Sequence, residues 1–349
     1  MAMKIKEHAI GLDSPPFIIA EMSGNHNQSI GRALAIVEAA AQAGADAIKL
    51  QTYTADTLTL DINGGEFFIS DEQNLWKGQS LHDLYTTAST PWKWHAPIME
   101  RARELGILCF STPFDETAVD FLEKLNVPAY KIASFENVHL PLIRKVAATG
   151  KPVIISTGMA SVAEIDEAVR AAREAGCRDL ILLKCTSTYP ATPENSNVVT
   201  IPHMRALFGC EVGLSDHTMG VGVAVAAVAQ GATVIEKHFT LSRADGGVDS
   251  TFSLEPDEFR ALVVETKRAW QSLGQVRYGP GEEEKRSLAF RRSLYIAEDL
   301  QKGDLLTPEN LRCVRPGLGL SPKYYEMLLG KRVNRDARKG TPFRWEMIG

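Results

Sequence analysis

Eight short apolar runs, each ending in a burst of polar residues, limit the folds open to this chain. They lie at 17–21, 47–51, 107–111, 129–133, 152–156, 180–184, 211–215 and 234–238. Helix-period stretches alternate with them at 31–44, 96–105, 116–125, 140–148, 161–175, 220–231 and 255–273. The first closes on Gly44, and the fifth opens with the capping box Ser161-Val-Ala-Glu164. Strands that are apolar throughout and alternate with helices belong to a parallel sheet covered on both faces. An open doubly wound sheet also satisfies the alternation, but it concentrates its site at one switch point. Polar residues at the end of every strand fit better with a TIM (β/α)₈ barrel, whose site is built from loops at the C-terminal ends of the strands. The expectation is therefore an α/β chain with such a barrel over residues 1–280. Residues 52–94 break the rhythm with acidic turns, Gly64-Gly65, Trp76 and a short helix near 81–87. They read as a long insertion over the barrel mouth.

After residue 274 the texture changes. Tyr278-Gly-Pro-Gly281 and the charged run at 282–286 suggest a linker over 281–289. Residues 290–349 then form a small unit with a short strand at 293–296 and a turn at Lys302-Gly303-Asp304. A unit of that size is marginal alone and gains from docking on a partner. With 38 Lys+Arg against 43 Asp+Glu, the net charge of −5 gives no electrostatic case for nucleic acid or an anionic membrane. No apolar stretch resembles a signal peptide or spans a bilayer, so a cytoplasmic location is expected. Cys109, Cys177, Cys185, Cys210 and Cys313 are odd in number and contain no C-x-x-C pair, which suits reduced thiols.

The strand ends carry the chemistry. His217 and His238 close the last two strands and can share one metal ion, although a lone barrel histidine is more often structural. His26 lies near the mouth without a metal role; His8, His82, His139 and His203 read as surface or packing residues. Lys49 and Lys131 sit inside apolar runs with no solvated face, so each must meet an anion. Thr112, Ser134, Ser156 and Ser187 offer hydroxyls nearby, though any one could be a turn residue. Glu21 and Glu136 are carboxylates at strand ends; Glu21 can partner Lys49 or Lys131, which is expected to lower its pKa and favour a base. Cys185 is expected to be an inert thiol, with no histidine beside it in the sequence.

These strand ends resemble the sialic acid synthase family, whose members condense phosphoenolpyruvate with an amino sugar. The stretches that carry the resemblance are Ile19-Ala-Glu21, Lys49-Leu-Gln51, Phe110-Ser-Thr-Pro113, Tyr130-Lys-Ile-Ala-Ser134, Ile155-Ser-Thr-Gly158, Lys184-Cys-Thr-Ser-Thr-Tyr-Pro190, Gly213-Leu-Ser-Asp-His217 and Glu236-Lys-His238. Arg291-Arg-Ser-Leu294 through Arg315-Pro-Gly317 is similar to the family's antifreeze-like (SAF) domain. The resemblance implies a carbon–carbon bond-forming transferase. It assigns Glu21, Lys131 and Glu136 to catalysis, and Lys49, Gln51, Thr112, Ser134, Ser156 and Ser187 to phosphoenolpyruvate. It assigns Tyr189, Asp249 and Arg315 to the sugar. His217 and His238 would hold a divalent metal, Mn²⁺ first, with Mg²⁺ or Co²⁺ as substitutes. It also implies a domain-swapped homodimer in which the tail of one chain brings Arg315 to the partner's sugar.

Thr52-Tyr-Thr54, Leu75-Trp-Lys-Gly78, residues 131–136 and Gly246-Gly-Val-Asp-Ser-Thr-Phe-Ser-Leu254 resemble the branch that makes pseudaminic acid. N-acetylneuraminate synthases more often read Gly-Pro-Asp-His-Lys-Ala-Ser at Gly247-Val-Asp-Ser-Thr-Phe-Ser253. The expected sugar is thus 2,4-diacetamido-2,4,6-trideoxy-L-altrose, with Phe252 an apolar neighbour for its methyl group. The nearest alternative is an N-acetylneuraminate or legionaminic acid synthase. An alternative of another class is a non-catalytic sugar-binding protein, against which the intact Glu21, Lys49, Lys131, His217 and His238 argue.

Overall fold

A computed structural model describes residues 3–72 and 74–349. The chain divides into two compact units, Met1–Gly274 and Gln275–Gly349.

The first unit opens with an antiparallel hairpin of β1 (Met3–Ile5) and β2 (His8–Ile10), which the sequence reading lacked. The barrel strands follow: β3 (Phe17–Glu21), β4 (Ala47–Thr52), β5 (Leu108–Pro113), β6 (Tyr130–Ile132), β7 (Val153–Ser156), β8 (Leu180–Cys185), β9 (Glu211–Asp216) and β10 (Val234–His238). They are all parallel and close in the order β10-β3-β4-β5-β6-β7-β8-β9, so the expected barrel is present. The helix Thr200–Phe208 between β8 and β9 also escaped the sequence reading; its N-cap, Val199, has no capping side chain.

Local chemistry sets the element ends. Ser29 accepts from the Arg32 amide to start the helix Ile30–Ala43, and Gly44 ends it in the left-handed region at φ 92°. The Ser161 capping box is formed as read, with Glu164 returning to the Ser161 amide. Gly213 in β9 has a different reason: a Cβ there would stand 2.2 Å from the Val234 carbonyl oxygen. Only glycine lets β9 and β10 approach closely enough to bring their two histidines together. Strand alternation then points Glu236 and His238 to one face of β10 and Lys237 to the other. Lys237, fully buried, donates to Asp216 Oδ2 at 2.7 Å.

The insertion, apart from residue 73, which lies outside the described residues, holds the helices Ala55–Leu58 and Leu81–Ala88. It is pinned to the barrel unit by polar contacts. Gln28 Nε2 donates to the Thr87 and Ser89 carbonyls, and Trp76 Nε1 donates to the Val248 carbonyl at 2.9 Å.

The second unit contains a 3₁₀ helix at Glu283–Phe290 where the sequence suggested a linker. It also has an antiparallel pair, β11 (Ser293–Ile296) and β12 (Leu311–Val314). Its own small core gathers Leu294, Ile296, Leu306, Leu311, Leu328 and Phe343.

Candidate active site

At the C-terminal end of the barrel strands lies a cavity of about 480 Å³. Its lining includes Lys49, Gln51, Lys131, Ser134, Glu136, Ser156, Ser187, Tyr189, His217, His238 and Asp249, eleven of the residues expected from the sequence. Three of the others lie elsewhere. Glu21 and Thr112 are fully buried behind Lys49, and Arg315 belongs to the second unit.

The floor is a buried charge network. Lys49 Nζ stands 2.5 Å from Glu21 Oε2, 3.0 Å from Thr112 Oγ1 and 3.7 Å from Glu236 Oε1. Lys131 Nζ donates to Ser156 Oγ at 2.6 Å and to the Ile132 carbonyl at 3.0 Å, and lies 3.9 Å from Glu236. Thr112 therefore holds the Lys49 ammonium rather than facing the open cavity. Burial raises the Glu21 pKa, and this outweighs the opposing charge of Lys49. The lowered carboxyl expected at Glu21 is thus corrected: desolvation prevails over the adjacent cation. Burial also opposes charge on Glu236, but Lys131 and Lys49 together hold it below the usual carboxylate range. Burial disfavours the Lys49 ammonium, yet Glu21 and Glu236 keep its pKa above normal, whereas burial prevails at Lys131 and lowers it.

Glu236 and Ser215, joined by a 3.1 Å hydrogen bond, had no role in the sequence reading. Period-2 alternation contained the signal: each lies two residues before an inward histidine on the same run. Cys185 needs a correction too. Burial opposes its ionisation, but a hydrogen bond and charge from His217 pull the thiol below its usual pKa. The histidine came from another strand, which is why the sequence did not show it. Phe252 is also not in the cavity wall. It is fully buried, packed against the rings of His238 and Tyr189 at 4.9 and 5.2 Å.

The two histidine rings lie 5.3 Å apart. His217 Nδ1 is 2.8 Å from the Thr186 carbonyl, so that nitrogen carries a proton; burial opposes charge on the ring, but Cys185 together with this bond outweighs it and raises the pKa. His238 Nδ1 is buried without a hydrogen-bond partner, 3.6 Å from Asp249 Oδ2. Burial holds His238 well below its ordinary pKa, hence neutral. Among the described residues no group of three or more His, Cys, Asp or Glu is placed to hold a metal ion together. The donor set on offer is two imidazoles facing a cavity, His238 neutral and His217 able to ligate once its Nε2 gives up a proton, which fits a divalent first-row metal with open positions.

The chain matches the NeuB family model over residues 36–278 and the SAF domain model over residues 291–349. The chain belongs to the NeuB family. It is 45% identical to a pseudaminic acid synthase of Campylobacter jejuni, over 94% of this chain and 95% of that one. To the pseudaminic acid synthase of Helicobacter pylori it is 42% identical, over 94% and 96%. Among solved structures it resembles N-acetylneuraminic acid synthetase from Leptospira borgpetersenii in complex with citrate. That match has TM-score 0.73 and 32% identity, covering 82% of this chain and 95% of the other.

Within this NeuB-family site, Glu136 is poised to titrate. Burial pushes its carboxyl up to about 7, and Oε2 is buried with no hydrogen-bond partner. A carboxyl whose folded pKa exceeds its unfolded value binds extra protons when folded, so it destabilises the fold as pH rises between the two values. Glu136→Gln is therefore expected to melt a few degrees above the parent at pH 8. The gap should close as pH falls through 7 toward the ordinary carboxyl range. Melting curves across that range check this; a pH-independent gap would remove the buried carboxylate from the account.

Proposed function

We propose that this chain condenses phosphoenolpyruvate with 2,4-diacetamido-2,4,6-trideoxy-β-L-altropyranose, opened to its aldehyde, giving pseudaminic acid and phosphate. The observation that carries the reading is the pair of buried lysines, Lys49 and Lys131, at the cavity floor. Buried ammonium groups facing a cavity suit a small, multiply charged anion, and the 42–45% identity to pseudaminic acid synthases supports the sugar.

Lys49, Lys131, Ser156, Ser134 and Ser187 would bind the phosphate and carboxylate of phosphoenolpyruvate. Gln51, which lines the cavity and donates to Glu21 Oε1 at 3.2 Å, would hold that carboxyl in place beside Lys49. In the reaction the enol electron pair at C3 forms a bond to the sugar C1, and the aldehyde oxygen takes up a proton. Water adds to C2, losing a proton for which Glu21 or Glu136 is the acceptor within the site. The C2–O bond to phosphorus then breaks, phosphate leaves with the bridging oxygen, and the C2 hydroxyl loses its proton to become the ketone. Tyr189 and Asp249 would hold the sugar. His217 and His238 would hold a divalent metal, Mn²⁺ by preference, supplying Lewis-acid polarisation of a carbonyl oxygen when bound.

The test is a panel of amino sugars, with released phosphate and product mass as readouts, using phosphoenolpyruvate labelled with ¹⁸O at the bridging position. The expected outcome is fastest turnover with the 6-deoxy diacetamido sugar and label in the phosphate. A larger kcat/KM with N-acetylmannosamine would favour an N-acetylneuraminate synthase instead. Label retained in the sugar acid would reject C–O cleavage. No phosphate with any sugar would favour a binding protein.

We further propose, from the family resemblance, a homodimer in which Arg315 of one chain serves the other chain's sugar site, with its planar fork on an acetamido carbonyl. His238→Ala and Arg315→Ala, each inactive alone, should recover about a quarter of parental activity when unfolded and refolded together, because half the dimers are mixed and one site in each is whole. No recovery in mixed dimers confirmed by mass would reject sharing.

A further inference from the structure

We propose that Trp76, together with Val248, forms the wall that selects the sugar, by offering only carbon surface to the groups remote from the reacting carbon. The proposal rests on the reading of the cavity as a phosphoenolpyruvate–sugar site and adds to it the residues that discriminate between sugars.

The cavity has two chemically different parts. Lys49, Lys131, Ser156, Ser215, Glu236 and the two histidines make it polar at the floor. Near the insertion Leu58, Ile69, Trp76, Leu84 and Val248 add apolar surface, beside the polar groups of Tyr53, Asn74 and Tyr85. Of the pair Trp76 and Val248, Trp76 is the one with a polar side-chain atom, and that atom is already committed. Its Nε1 donates to the Val248 carbonyl at 2.9 Å, and its backbone amide donates to Asn74 Oδ1 at 2.9 Å. The indole thus has no donor left for a sugar hydroxyl. The same hydrogen bond fixes Trp76 to the loop that carries Asp249, next to Val248.

Val248 sits close to the backbone of Gly24: a Cβ placed there would be 3.2 Å from Val248 Cβ and 3.2 Å from Ala88 Cα. The wall is also in register with the reacting end. The Trp76 ring lies 6.1 Å from Tyr189, whose ring lies 4.6 Å from His217. A hydroxyl held against the faces of Trp76 and Val248 loses its water and gains no hydrogen bond from them, whereas a methyl group is buried at a gain. The substrate class favoured is an amino sugar whose far end carries a deoxy carbon and acyl methyl groups. A fully hydroxylated far end is disfavoured.

The experiment compares the parent chain, Trp76→Phe, Trp76→Gln and Val248→Thr. Each is assayed by phosphate release with 2,4-diacetamido-2,4,6-trideoxy-L-altrose and with N-acetylmannosamine. Methyl-sized differences in an apolar pocket give roughly 10- to 200-fold discrimination. Trp76→Gln and Val248→Thr should each cut the parental ratio of kcat/KM by about tenfold, through a higher KM for the deoxy sugar with kcat little altered. Trp76→Phe keeps a ring but cannot donate to Val248, and should retain most of the discrimination.

The opposite pattern, with Trp76→Phe as impaired as Trp76→Gln and kcat falling in both, would make Trp76 a loop anchor and overturn the proposal. So would an unchanged ratio in Trp76→Gln and Val248→Thr, which leaves the assigned reaction standing. Parental preference for N-acetylmannosamine would overturn both the wall and the assigned sugar.

Discussion

Lys49→Met is expected to lower kcat/KM for phosphoenolpyruvate by roughly 30- to 5,000-fold. Truncating one partner of a buried, hydrogen-bonded charge pair forfeits roughly 2–5 kcal/mol, and ~1.4 kcal/mol is tenfold in rate. The site gives Lys49 no substitute. Its ammonium is shared among Glu21 at 2.5 Å, Thr112 at 3.0 Å and Glu236 at 3.7 Å, and the side chain is almost wholly enclosed. Methionine keeps the unbranched shape and removes the charge. Two buried carboxylates then remain near a single lysine, Lys131. Glu21, already pushed up by burial, loses the cation that opposed the rise, so its pKa climbs further. If Glu21 acts as a base, the acid limb of the pH–rate profile should therefore move to higher pH. Steady-state phosphate release and the profile are the measurements, with circular dichroism as the check on folding. A folded Lys49→Met chain within fivefold of the parent would remove Lys49 from the anion site.

His238→Ala should abolish metal binding of functional strength and, with it, turnover. Mutating even the outer partner of a metal ligand costs 10- to 100-fold in affinity. Losing one of only two protein ligands should cost more than ~100-fold. The readout that does not depend on activity is Mn²⁺ binding, followed by electron paramagnetic resonance during titration of the full chain. The parent should take one Mn²⁺ per chain, and, on the proposal that both imidazoles serve one ion, His217→Ala should be as weak as His238→Ala. A chelator should silence the parent, with at least part of its activity returning on addition of Mn²⁺, Co²⁺ or Mg²⁺. Full turnover after rigorous chelation, or Mn²⁺ bound equally by His238→Ala, would sink the assignment.

Much of the fold was legible because the barrel strands are short, apolar throughout and punctuated. All eight were found within one or two residues of their ends, and the Ser161 cap and the helix near 81–88 are where the residues placed them. The hairpin of β1 and β2 was not legible, because strands of three residues carry too little periodicity to register. The site was legible as a set of strand ends. Lys49 and Lys131 declared themselves as charges in runs with no solvated face, and both line the cavity. What failed were inferences about neighbours. Phe252, proposed as a wall for the sugar, turned out to be packing behind the histidines, while Trp76 and Val248 lie in the wall itself.

By itself, then, the sequence determined which side chains sit at the mouth of the barrel. Position on a strand and the two-residue alternation settle that, and both are local properties of the chain. Only the tertiary structure decided what those side chains do to one another. Glu21 meets Lys49, yet its pKa goes up, because the cost of desolvating a fully enclosed carboxylate exceeds what one cation returns. Cys185 finds His217 from the next strand. Trp76 reaches Val248 across 172 positions of sequence to complete the cavity. Burial and through-space distance set charge states and contacts, and both arise only when the barrel closes and brings distant segments within a few ångströms.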